Sequence, residues 1–131
     1  MNAVFTYGSL MFEAVWSRVV HDNYHQTAAI LPGYRLHGLR NETFPAIIKS
    51  GSNDQVSGIL YLAISDDDCA RLDEFEGDYY QRETVSVISA DKTILAETYI
   101  LRDEFIHLLD KNGWDAEQFE RQHLANFICN L

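Results

Sequence analysis

Glu76 is a carboxylate in a helical position that the surrounding pattern reserves for an apolar side chain. Within Ser65-Asp66-Asp67-Asp68-Cys69-Ala70-Arg71-Leu72-Asp73-Glu74-Phe75-Glu76-Gly77, the residues Cys69, Leu72 and Glu76 follow i, i+3, i+7 spacing, with Phe75 beside them. At roughly 100° per residue, Glu76 projects only about 40° from Leu72, inside the apolar stripe. Glu74 points well away from that stripe. A carboxylate turned towards a core loses hydration, which raises its pKa and makes it a candidate proton acceptor near neutral pH. The same spacing allows a plainer arrangement, in which Gly77 ends the helix at once and Glu76 swings out to solvent.

A second candidate is the tetrad Tyr7-Gly8-Ser9-Leu10, at the junction of an opening strand and a following helix. Such a junction exposes unpaired backbone N–H groups, and a glycine lets a ligand approach the main chain closely. Those donors and the helix dipole suit a carboxylate or a polarised carbonyl oxygen. A plain tight turn with Ser9 as helix N-cap fits the same four residues.

Downstream of Glu76, the segment Gly77-Asp78-Tyr79-Tyr80-Gln81-Arg82 keeps two tyrosines and an arginine close to the helix end. The hydroxyl of Tyr80 can hydrogen-bond a substrate or orient Glu76, and Arg82 can grip a substrate carboxylate bidentately. A buried ring and an ion pair to a neighbouring acid are the structural alternatives. His21 and His25 have metal-ligand spacing only if helical, and the loop-like Asp22-Asn23-Tyr24 between them and the lack of a nearby third ligand argue against a metal site. No nucleophile elbow, Walker loop or dinucleotide fingerprint is present. Trp16 and Trp114 read as core or pocket walls rather than cofactor platforms.

The elements that must position these residues follow from punctuation and periodicity. A strand is expected over 2–6, a helix over 12–20 and a loop over 21–26. Strands over 27–31 and 34–39 flank the Pro32-Gly33 turn, and a short strand over 44–49 is entered through proline. Gly51 to Asp54 is turn chemistry, followed by a strand over 55–63. Ser65 caps the central helix, with Asp68 completing a capping-box pattern and acids lining its positive end. The chain re-enters a strand near Arg82, and 83–89 and 93–101 alternate as a hairpin around Asp91-Lys92. A last helix is expected over 116–128, with Asp115 as N-cap and Gln118 as its box partner. The fold class is α+β: one domain over 1–131, a small curved mixed sheet or barrel with helices outside.

Composition limits the function. At 131 residues the chain can bury roughly two thirds of its unfolded surface without staples. No apolar run approaches the ~20 residues of a membrane helix, and the N-terminus lacks a basic leader, so secretion and membrane insertion are not expected. A net charge of −10 with scattered basic residues argues against nucleic acid and anionic membrane surfaces as partners. Cys69 and Cys129 form no CxxC or metal spacing, and Cys69 falls on an apolar helix face as an inert thiol. A cytoplasmic protein fits this usage, and a monomer is expected because no amphipathic surface helix is left without a partner.

Taken in order, Val4-Phe5-Thr6-Tyr7-Gly8-Ser9-Leu10, Phe44-Pro45-Ala46-Ile47, Val56-Ser57-Gly58-Ile59-Leu60-Tyr61, Leu72-Asp73-Glu74-Phe75-Glu76-Gly77, Tyr80-x-Arg82 and Val85-x-Val87 resemble the gamma-glutamylcyclotransferase family. The branch most similar is that of gamma-glutamylaminecyclotransferase and the AIG2-like proteins, and the resemblance covers about residues 3–101. It implies a gamma-glutamylcyclotransferase-like small mixed β-barrel with a few surrounding helices, and release of 5-oxoproline from a small gamma-glutamyl substrate. The family's substrate loop maps onto Tyr7, Gly8, Ser9 and Leu10, and its catalytic glutamate onto Glu76.

The chemistry agrees with that transfer. A gamma-glutamyl group carries its own nucleophile, the α-amine, so the enzyme needs neither a covalent nucleophile nor a cofactor or metal. One carboxylate with a raised pKa can take the ammonium proton and return it to the leaving amine. Main-chain N–H groups can stabilise the oxyanion, and curling the substrate supplies proximity. Two alternatives stay open: a non-catalytic small-molecule binding or interaction module on the same fold, and a related enzyme acting on a larger gamma-glutamylated metabolite or protein. The leaving group is not legible in the sequence.

Overall fold

The computed structural model describes residues 2–110 and 112–131. Its strands are β1 (Asn2–Thr6), β2 (Gln26–Pro32), β3 (Tyr34–Leu39), β4 (Pro45–Lys49), β5 (Gln55–Ile64), β6 (Tyr80–Ser89), β7 (Lys92–Leu101) and β8 (Leu109–Asp110). Five of them close a barrel in the order β1-β5-β2-β6-β7, and β4-β3-β8 form a separate sheet. The barrel is mixed: β1 meets β7 in parallel at Val4 and Glu97, while the other pairs run antiparallel. This is the expected α+β class.

Successive strand residues face opposite sides of a sheet, and β1 shows the consequence. Phe5 packs with Leu60, Val87 and Ala96 in a cluster built from strand residues, whereas Val4 packs with Leu72, Tyr99 and Leu101 beneath the helices. That second layer is covered by α1 (Glu13–Val19) and α2 (Asp66–Glu76), with Trp16 stacked on Tyr61 at 3.6 Å. Trp114 donates from Nε1 to the Thr43 carbonyl at 2.7 Å. Both tryptophans therefore serve as walls and braces.

Several expectations shift in detail. Strands do flank the Pro32-Gly33 turn as expected, and the turn leads from one sheet to the other: β2 pairs with β5 and β6, and β3 turns away to pair with β4 and β8. The β6–β7 turn is Ala90-Asp91, both at positive φ, one residue earlier than expected, and β6 starts at Tyr80 rather than near Arg82. Ser65 Oγ does accept from the Asp68 N–H at 3.2 Å. Asp68 does not return the favour: its carboxylate accepts from the His21 N–H at 2.9 Å, Arg71 Nη1 at 2.7 Å and the Tyr24 hydroxyl at 2.6 Å. It is a buried tie between the 21–24 loop and α2, not a solvated cap.

The last helix is broken into α3 (Ala116–Gln122) and α4 (Leu124–Cys129) at His123, which has left the helical region at φ −128° and ψ −24°. Asp115 caps the Glu117 N–H at 3.0 Å, but Gln118 reaches forward to Gln122, so the capping box is not formed. Short 3-10 turns at Ser9–Met11, Gly77–Tyr79 and Asp103–Leu108, together with the two-residue β8, escaped the periodicity reading because none is longer than two turns. Among the described residues, no helix is long and apolar enough to cross a membrane.

Candidate active site

The end of β1 is fixed by side chains that reach across the barrel. Thr6 Oγ1 donates to the Ile59 carbonyl at 2.9 Å, Thr98 Oγ1 to that of Phe5 at 2.9 Å, and the Tyr7 hydroxyl to that of Tyr99 at 2.6 Å. The chain then turns through Gly8 into the 3-10 turn, with Met11 N–H on the Gly8 carbonyl at 3.0 Å and Phe12 N–H on that of Ser9 at 3.1 Å. The first N–H groups of such a turn have no partner inside it. Ser9 caps neither this turn nor α1, whose N-cap is Phe12. Gly8 is required sterically: a Cβ there would stand 2.9 Å from Pro45 Cδ.

Helix α2 buries Cys69 and Leu72 in the core and ends on Glu76. Gly77, at φ 73°, stops the helix in a conformation that favours glycine. Glu76 does not swing away. It is half-buried and lines a cavity of about 250 Å³ together with the stretch from Thr6 to Leu10. Tyr80 and Tyr99 line the same space, and Phe44, Pro45, Phe75 and Phe127 complete an apolar wall. Among the described residues that line it, Glu76 has the sole side-chain carboxylate, and there is no Lys, Arg or His.

Burial, and then the neighbouring Asp73 carboxylate, push the Glu76 pKa up to about 8. No hydrogen bond from the described residues holds its oxygens. The Tyr7 and Tyr80 phenols are also pushed up, chiefly by burial, so both stay protonated donors. Burial raises the Cys69 thiol as well, which keeps it unreactive.

Six of the sequence candidates thus meet at one cavity: Tyr7, Gly8, Ser9, Leu10, Glu76 and Tyr80. The expected use of the Tyr80 hydroxyl is corrected, because it donates to the Pro45 carbonyl at 2.6 Å and so fixes the cavity wall. Arg82 is not among the cavity-lining residues. Its Nε lies 3.5 Å from Asp73 Oδ1 and its Nη1 lies 3.6 Å from Glu97 Oε2, so the expected grip on a substrate carboxylate is replaced by pairing within the protein. The sequence reading missed Asp73, whose Oδ1 accepts from the Tyr99 hydroxyl at 2.7 Å. Its position three residues before Glu76 was the available signal. His21 and His25 border a separate polar depression beyond the Trp16–Tyr61 stack. Among the described residues no group of three or more His, Cys, Asp or Glu is placed to hold a metal ion.

Comparison with known proteins bears on the family and the fold. The family model described as gamma-glutamyl cyclotransferase, AIG2-like matches residues 4–118. AIG2-like protein D of Arabidopsis thaliana is 37% identical over 135 residues, covering 98% of this chain and 85% of the relative. A solution structure of another Arabidopsis thaliana protein superposes with a TM-score of 0.71 at 27% identity, covering 98% and 87% of the two chains. A solved gamma-glutamyl cyclotransferase shares the fold with a TM-score of 0.67 at 20% identity, over 77% and 66% of the chains. The chain, with its strand-end loop facing a helix-end glutamate across a small cavity, belongs to the AIG2-like gamma-glutamyl cyclotransferase family.

Proposed function

We propose that this protein is a cofactor-independent gamma-glutamyl cyclotransferase that releases 5-oxoproline and a free amine or amino acid from a small gamma-glutamyl compound. The observation that carries the reading is the position of Glu76: a carboxylate with a raised proton affinity, lining one cavity together with the Thr6–Leu10 stretch.

In the reaction the glutamyl part curls into the cavity with its polar groups towards the N–H donors of the 8–10 stretch. Glu76 takes a proton from the α-ammonium, and the freed amine attacks the γ-carbonyl carbon. The new C–N bond closes the lactam ring, and main-chain N–H groups stabilise the oxygen as it gains charge. The γ-amide C–N bond then breaks, and Glu76 returns the proton to the departing nitrogen. No water is consumed. The phenols of Tyr7 and Tyr80 are committed to the Tyr99 and Pro45 carbonyls, so they fix the walls rather than carry protons.

The cavity volume favours a small substrate over a protein or a large metabolite, since ligand pockets commonly span roughly 300–1,000 Å³. Both cysteines are free, Cys69 buried and Cys129 exposed, which suits a reducing cytoplasm. Appearance of 5-oxoproline from gamma-glutamyl amines and dipeptides, with Glu76→Gln as the control, tests the reading.

A further inference from the structure

Tyr99 on β7 reaches both arms of the site at once. Its main-chain carbonyl accepts from the Tyr7 hydroxyl at 2.6 Å, at the head of the 7–10 stretch. Its own hydroxyl donates to Asp73 Oδ1 at 2.7 Å, one turn before Glu76 on α2. The residue is buried, 4% exposed, and packs with Val4 and Leu72, where a low local dielectric strengthens hydrogen bonds. The preceding Thr98 donates to the Phe5 carbonyl at 2.9 Å, which fixes β7 against the end of β1. Burial, and then the bond to Asp73, push the Tyr99 phenol up, so it stays a donor.

Glu76 depends on such an anchor. No hydrogen bond from the described residues holds its oxygens, and Gly77 ends the helix directly after it. Its place at the cavity is therefore set by the last turn of α2. Among the described residues, the side-chain hydrogen bond that joins this turn to the barrel is the one from Tyr99 to Asp73. Arg82, opposite Tyr99 in the β6–β7 ladder, approaches the same oxygen only to 3.5 Å, from a side chain that is 30% exposed. A tyrosine side chain turns about two bonds only, so the carbonyl and the hydroxyl of Tyr99 are the two ends of one short, stiff link.

Resting on the cyclotransferase reading, we propose that Tyr99 is a positioning residue for the reaction: through Asp73 it sets the place of Glu76 relative to the 7–10 stretch, whose first residue it holds by its main chain. Its hydroxyl acts on Asp73 and not on the substrate, although the residue lines the cavity. A base displaced by about 1 Å from the proton it must take can lose on the order of 10²-fold in rate, while main-chain contacts to the bound substrate stay as they were. The loss then falls on kcat rather than on KM.

Tyr99→Phe removes the hydroxyl and leaves the carbonyl that holds Tyr7. On a gamma-glutamyl amide turned over by the parent, the variant is expected to keep KM within ~3-fold and lose at least ~10-fold in kcat at its own pH optimum. Asp73→Ala removes the acceptor and is expected to lose at least as much. Asp73→Asn keeps an oxygen for the hydroxyl and is expected to retain most of the rate at its own optimum. Adding Tyr99→Phe to Asp73→Ala is expected to cost nothing further, because the two changes delete the two ends of one bond.

A parental kcat in Tyr99→Phe, or a loss confined to KM, overturns the inference and leaves the cyclotransferase reading standing. So does an undiminished further loss when Tyr99→Phe is added to Asp73→Ala, which would put the hydroxyl against the substrate instead. Where Tyr99→Phe does not fold, the Asp73 pair decides: equal rates in Asp73→Ala and Asp73→Asn overturn the anchor. Release of no 5-oxoproline by the parent from any of a panel of gamma-glutamyl amines and dipeptides overturns the cyclotransferase reading and this inference together.

Discussion

Asp73 and Glu76 stand one turn apart near the end of α2, and the carboxylate of the first raises the proton affinity of the second. The Tyr99 hydroxyl and Arg82 Nε both approach Asp73 Oδ1, so that carboxylate is held in place while Glu76 is left unbonded beside the cavity. The division of labour resembles that of other paired acids, in which environment sets two carboxyls to different tasks.

Replacing Asp73 by Asn removes one of the two causes that raise the Glu76 pKa. Burial, the larger cause, remains. The acid limb of the kcat/KM profile is expected to move to lower pH by a fraction of the full displacement, which a pH–rate titration of the variant measures. Loss of rate at every pH without movement of the limb would show Asp73 to be a structural support only.

Stability should register Glu76 directly. Its carboxyl holds a proton in the folded chain up to about pH 8, whereas the unfolded chain releases it near the ordinary 4.5. The native state therefore binds the extra proton throughout that window, and stability falls as pH rises from 4.5 to about 8. The slope is at most about 1.4 kcal/mol per pH unit, and less to the extent that the group keeps contact with solvent. Denaturant titrations of Glu76→Gln across that range are expected to show a flatter profile and a protein more stable than the parent at pH 8.

Asp68 acts in the opposite sense. Burial alone would raise its pKa, but hydrogen bonds from Tyr24, the His21 N–H and Arg71 outweigh it and hold the carboxyl below its ordinary 3.8. Its contribution is present above that value and is lost as pH falls through the lowered one. Asp68→Ala leaves three donors without their acceptor and is expected to cost about 2–4 kcal/mol by chemical denaturation at pH 7.

Gly8→Ala tests the loop by geometry. The added methyl carbon would sit 2.9 Å from Pro45 Cδ, part of a rigid ring whose own carbonyl is held by Tyr80. Relief by moving either segment changes the mouth of the cavity. The expected outcome is a loss of at least ~10-fold in kcat/KM with a change in thermal midpoint of only a few degrees.

The meeting of Glu76 and the 7–10 stretch at one cavity was legible in the chain because each is encoded locally. Helical spacing around Leu72 aims Glu76 inwards, and a strand end followed by glycine marks the 7–10 stretch. Arg82 was not legible, because its partners come from α2 and from Glu97 on the neighbouring strand, a pairing fixed by barrel register. Asp68 looked like a cap because its local spacing is that of one, and only the folded 21–24 loop supplies its donors. The aromatic wall was missed for a similar reason: Phe44, Phe75 and Phe127 are far apart in sequence and meet only when α4 folds over the cavity. Pro32-Gly33 signals a turn correctly, but a turn signal does not say which sheet the next strand joins.

The central claim is that Glu76 moves the proton in lactam formation, and the most direct measurement is 5-oxoproline release by parent and Glu76→Gln proteins on the same gamma-glutamyl amides. Glutamine keeps the shape and cannot accept the proton. The account predicts product from the parent and a rate lower by at least ~10²-fold in a folded variant that still binds the substrate. Product formation by Glu76→Gln at the parental rate, or none from a folded parent that binds gamma-glutamyl amides, would contradict it.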